Sequence, residues 1–168
     1  MSGLGRFYDR IIDALAVISA VGIAMIAILV SADVLLRNTG LPTIPWQVEV
    51  SEYIQYGVTF LGAPWVLRLG GHVRVDMLLS AVGPVRAFLL EILADILGLF
   101  ASLVLFGYGI YTVYLTWRDN QLQIKMLTVP EWIIFLVVVV SGFLLVTEFI
   151  RRLRRERTRP RDTSTVQI

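Results

Sequence analysis

The sequence predicts an all-α integral membrane protein with four transmembrane helices, on three observations. Of its 168 residues, 57% are hydrophobic and only 17% are charged, more apolar surface than a soluble domain of this length can bury. The apolar residues come in long unbroken blocks, not in alternation. The basic residues gather on one side of the topology those blocks define.

Ala14 to Ala32 is free of charge for 19 residues and Ile96 to Trp117 for 22, each enough for a span of about 20 residues. Tyr53 to Leu67 and Trp132 to Thr147 are shorter, 15 and 16 residues, and reach spanning length when interfacial flanks are included. In lipid a backbone must satisfy its own hydrogen bonds, so these blocks read as helices over about 11–37, 46–69, 84–117 and 129–151. They form one membrane domain, 1–151, followed by a basic tail, 152–168, expected to be disordered. The run after Arg10 is too long for the apolar core of a cleaved signal peptide and shows no small-residue cleavage site, so it reads as a retained first span.

With four spans, the N-terminus, the second loop and the tail share a side. That side carries twelve Lys and Arg, against three opposite. Both termini are therefore expected in the cytoplasm. Arg151, Arg152, Arg154 and Arg155, directly after the last span, read as topology anchors touching anionic lipid headgroups and not as a nucleic-acid patch. The first loop, RNTGLPTIPW, is a short outer turn. Gly70 and Gly71 end helix two, and His72 to Gly83 forms a short interfacial segment before Gly83-Pro84 starts helix three.

Charges near apolar helices define the candidate sites. Asp33 and Arg37 stand four apart with the acid first, the favourable order for a helical ion pair. Trp46 is an interface anchor. Glu49 and Glu52 share one face of the first turns of helix two, where acids complement the helix dipole and can also bridge to another subunit. Glu91 and Asp95 are four apart in helix three, so they repel unless a cation, a proton or water neutralises them. Ala94, Gly98 and Ser102 follow at four-residue steps, spacing that lets helices approach closely. Glu148, and likewise Asp13, reads as an end-of-helix acid; Glu148 has Arg151 and Arg152 within reach. The chain has no cysteine and a single histidine, His72. No metal-ligand set, catalytic triad or nucleotide loop appears, so neither cofactor nor enzymatic activity is expected.

The ordered set Asp33-Val34-Leu35-Leu36-Arg37-Asn38, Pro45-Trp46, Glu49, Phe60-Leu61-Gly62-Ala63 and Gly71-His72-Val73-Arg74-Val75-Asp76 resembles the small membrane subunit of tripartite ATP-independent periplasmic (TRAP) transporters, the DctQ-like family. The family's pair of adjacent acids after the Trp stands here as Val48-Glu49. The resemblance implies a small accessory subunit in a bacterial inner membrane. Its partners would be a large multi-span permease, a periplasmic substrate-binding protein and membrane lipid, in sodium-driven import of an organic anion, often a carboxylate. Arg37, Trp46, Glu49, Glu52, Gly71, His72, Arg74, Asp76, Glu91 and Asp95 then become candidate partner contacts. A rival from the residues alone is a self-sufficient homo-oligomeric four-helix carrier, proton-coupled through Glu91 and Asp95. A second is a structural or sensory protein acting through its arginine tail.

Overall fold

The computed structural model describes residues 3–69, 84–123 and 127–157. Four helices run through them: α1 (Gly3–Asn38), α2 (Gln47–Arg68), α3 (Pro84–Arg118) and α4 (Glu131–Arg157). The expected helices are all present, but α1 begins eight residues earlier and α4 runs past 151 to Arg157. The first residues assigned to a disordered tail are thus helical, because Arg152 is held by the bundle as described below. His72 and the rest of the expected interfacial segment lie outside the described residues, as do Gly71, Arg74 and Asp76. So does the tail beyond Arg157.

Three helices are long and apolar enough to cross a membrane: α1 over Gly5–Asn38, α3 over Leu89–Arg118 and α4 over Glu131–Arg154. The fourth expected span, α2, has 22 residues and is about 33 Å long at 1.5 Å per residue, enough to cross the hydrocarbon. Its first half is too polar to qualify on composition, with Gln47, Glu49, Glu52 and Gln55 in its opening turns. Its position explains how a helix with that sequence fits: α1 packs on one side of α2 and α4 on another, while α3 packs on α4. The inner pair, α2 and α4, runs parallel. The outer helices, α1 and α3, run antiparallel to their neighbours. Large apolar side chains of the outer helices point outward, among them Val17, Ile28, Leu97 and Phe100, as a lipid-facing surface requires.

Between the outer and inner helices the fit depends on small residues. On the α1–α2 seam, Gly22 faces Ile54 and Val58, and Gly62 faces Ser19. On the α3–α4 seam, Gly98 lies under the ring of Phe149 and Gly142 under the backbone of Phe106, where a Cβ would come within 3.0 Å of Cα. In lipid there is no hydrophobic gain from bringing helices together, so such close approach supplies the van der Waals contact that holds them. The packed face of α3 runs through Asp95, Gly98 and Ser102, all buried or half-buried, while Ala94 is exposed. Of the small residues expected at four-residue steps, Gly98 and Ser102 are on the packed face and Ala94 is not.

The inner junction has a more specific basis. Pro64 is buried inside α2. Having no N–H, it leaves the carbonyl of Phe60, four residues earlier, without its helical donor. Ser141 of α4, fully buried, donates its hydroxyl to that carbonyl at 2.5 Å. At the end of the array opposite the start of α1 and the end of α4, residues 119–123 and 127–130 lie between α3 and α4. Two short strands, β1 (Leu122–Gln123) and β2 (Val129–Pro130), pair antiparallel there with Leu122 opposite Pro130 and Gln123 opposite Val129. The sequence predicts no strand here. This end is called the hairpin end below, and the other the arginine end.

Ser141→Ala is expected to leave the Phe60 carbonyl unpaired and to destabilise the detergent-solubilised protein by about 1–3 kcal/mol. Pro64→Ala restores an internal α2 bond, so the double variant should recover most of that loss in a thermal unfolding series. Additive losses in the double-mutant cycle would show that the two residues act separately.

Candidate functional site

At the arginine end, charged side chains from all four helices interlock. Asp9 and Asp13 are one turn apart on α1, a repulsive arrangement in isolation. Arg68, the last residue of α2, stands between them. Its guanidinium forms an ion pair with Asp13, lies 3.8 Å from the Asp9 carboxylate, and donates to the Asp9 carbonyl at 3.2 Å. Asp9 is also paired to Arg151 of α4 at 3.0 Å. Arg151 in turn lies 3.6 Å from Glu148, one turn back on its own helix, and over the Tyr8 ring at 4.7 Å from its centroid. The Tyr8 hydroxyl donates to the Leu144 carbonyl at 3.0 Å. One carboxylate, Asp9, therefore links α1 to both inner helices.

The outer helix α3 is tied in by a separate pair. Asp95 is buried, its side chain 3% exposed, and its carboxylate meets Arg152 Nε at 2.9 Å. Of the cation, proton or water that could neutralise the Glu91–Asp95 pair, the structure supplies a cation to Asp95 from α4, one residue beyond the expected end of that helix. Glu91 is half-buried on the same side of α3. Burying a carboxylate is tolerable only with such a partner.

At the hairpin end the acids serve loop geometry. Asp33, 6% exposed, accepts from Arg37 at 3.1 Å and from the Ile44 N–H at 3.2 Å, so it closes the α1–α2 turn. Arg37 is itself exposed. Trp46, at the N-cap of α2, offers no side-chain cap and is exposed. Glu49 accepts the Leu127 N–H at 2.8 Å, which fastens the start of α2 to the α3–α4 loop. Tyr53 adds a long contact of 3.5 Å from its hydroxyl to Gln123. Glu52 lies on the exposed side of α2.

The structure brings Asp95, Arg151 and Arg152 into one region and places Arg37, Trp46, Glu49 and Glu52 at the opposite end, with Glu91 beside the first group. Arg154 is exposed near the end of α4. Arg155 is helical. Sequence reading missed Asp9, Arg68 and Tyr8. A signal for two of them was present: Asp9 and Asp13 have the same like-charge spacing as Glu91 and Asp95, and Arg68 sits at the right end of a neighbouring span. Among the described residues no group of His, Cys, Asp and Glu could hold a metal ion. The chemistry within reach is charge pairing and helix fixation.

A protein-family model described as "Tripartite ATP-independent periplasmic transporters, DctQ component" matches residues 26–159. No curated protein matches the chain.

Arg152→Gln removes the cation that meets the Asp95 carboxylate in the α3–α4 seam and is expected to destabilise the bundle by about 3 kcal/mol. Adding Asp95→Asn should return a large part of that loss. Equal unfolding temperatures for Arg152→Gln and the parent in detergent would refute the assignment of the pair as a structural tie.

Proposed function

This chain belongs to the DctQ family, the small-subunit component of TRAP transporters, and from that membership we propose that it supports the large permease of a sodium-driven, binding-protein-dependent importer of an organic anion, a carboxylate for preference. The observation that carries the reading is the family match, which spans all of α2, α3 and α4. The family is a transporter component and not an enzyme.

The geometry supports a fixed scaffold. Asp9, Asp13, Asp33, Asp95 and Glu148 are each engaged with a cation of the same chain. Charges paired in this way hold helices in place; a substrate or proton path needs groups that exchange partners. The rival carrier built on Glu91 and Asp95 draws no support from a site in which Asp95 is held by Arg152.

In this reading all four helices span the bacterial inner membrane, with α2 as the fourth, and both termini lie in the cytoplasm. The arginine end is then cytoplasmic. Arg151 and Arg152 act as structural ties as well as topology anchors. The hairpin end faces the periplasm, where Trp46, Glu49 and Glu52 stand nearest to a substrate-binding protein. His72, Arg74 and Asp76 are assigned in this reading as contacts for headgroups or partner loops.

Gentle solubilisation of membranes holding the tagged chain should recover a stoichiometric large membrane protein. Sodium-dependent carboxylate uptake should require both chains and the binding protein. A homo-oligomer of this chain that transports by itself would overturn the proposal. Glu49→Gln keeps an acceptor for the Leu127 N–H but removes the charge, and is expected to lower recovery of the complex or the rate of uptake, as is Arg74→Ala; unchanged assembly and uptake in both would remove these residues from the interface.

A further inference from the structure

The exposed side of α2 differs from every other exposed helix face described above. It is a single stripe: Val48, Glu52, Gln55, Thr59, Val66 and Leu69. The intervals alternate between three and four residues, apart from one gap of seven, so the stripe keeps the 3.5-residue period along which one helix accepts another. Its first half is polar. By contrast, the exposed stripe of α4 has the same period and is apolar throughout, with Ile133, Leu136, Val140, Phe143 and Ile150.

Gln55 lies about 12 Å along α2 from Gln47, and Thr59 about 18 Å, on a helix about 33 Å long. The Thr59 hydroxyl is satisfied within the helix by the Gln55 carbonyl at 2.8 Å. The Gln55 carboxamide has two donors and an acceptor, and makes no side-chain hydrogen bond among the described residues. Lipid tails supply neither donors nor acceptors, and a carboxamide facing them is costly. A neighbouring helix with its own polar side chain meets the demand, and interhelical bonds of this type are a recurrent means of association in membranes.

We propose that the exposed stripe of α2, centred on Gln55 and Thr59, is the seam on which a membrane-spanning helix of the large permease docks, presenting a hydrogen-bonding side chain to Gln55. This rests on the reading of the chain as the permease's small subunit and adds which face is covered. It also accounts for the low apolarity of α2: a helix flanked by α1 and α4 and covered by a third helix has no side left for lipid. The apolar stripe of α4 is assigned to lipid.

The chain contains no cysteine, so one introduced thiol reports on one position. Gln55→Cys and Thr59→Cys, with Leu136→Cys and Phe143→Cys as lipid-facing controls, are to be reacted in membranes with a lipid-soluble maleimide, with and without the co-expressed large subunit. The expected result is labelling of all four in the chain alone and loss of labelling at 55 and 59 only when the large subunit is present. Co-purification of the large subunit is scored separately on each variant. Equal labelling at 55 and 59 with and without a co-purifying large subunit overturns the seam while leaving the subunit reading intact. Protection that persists without the large subunit assigns the stripe to a second copy of this chain and also overturns it. Absence of co-purification in the parent and all variants removes the subunit reading itself. A Gln55→Cys chain that loses the large subunit while Phe143→Cys retains it supports the seam through assembly.

Discussion

The carbonyl of Phe60 marks the constraint on which this bundle depends. A proline four residues later removes its helical donor, and a buried carbonyl left without one is costly. Ser141 supplies the hydroxyl from α4. A defect in one helix thereby becomes a directed bond to another. The bond lies at the junction of α2 and α4, the two inner members of the array, against which α1 and α3 each pack. A serine elsewhere on α4 would leave both the carbonyl and the junction unsatisfied.

Ion pairs then fix what close packing alone leaves loose. Helices in lipid gain little from burying apolar surface against each other, so neighbour choice falls to small-residue contact and to polar partners. Asp9 meets cations of both inner helices, Arg68 and Arg151, and Asp95 meets Arg152. These pairs gather at one end, and the three-helix contact of Leu67, Leu145 and Phe149 with Leu99 lies in the same half. At the other end, Asp33 and Glu49 accept loop N–H groups and shape the connections. The acids of the two ends thus have different duties, although they look alike in sequence.

This distribution bears on function. A transport path needs groups that change partners, whereas these charges are committed to holding helices in register. α2, an inner helix, is the one described helix whose composition falls short of a membrane span, and its exposed side carries Glu52, Gln55 and Thr59. The chain belongs to the DctQ component of the tripartite transporter family.

By itself, the sequence determined the helices, their approximate limits and the pairs internal to one helix. A helix places residues four apart on one face whatever surrounds it, so Asp33–Arg37 and Glu148–Arg151 follow from local spacing. The need to neutralise Glu91 and Asp95, by a cation, a proton or water, was legible for the same reason. The cation's identity was not, because it depends on how far α4 continues and which way it faces. The two-residue strands of the α3–α4 loop were too short to leave a pattern. Only the tertiary structure decided that Arg68 stands between Asp9 and Asp13, that Ser141 answers Pro64, and that the packed face of α3 passes through Asp95 and not Ala94. Each of these joins residues more than 50 positions apart, or turns on the rotation of one helix against another. Such contacts are set by which faces meet, and a helix with large apolar side chains on most of its sides does not encode that choice locally.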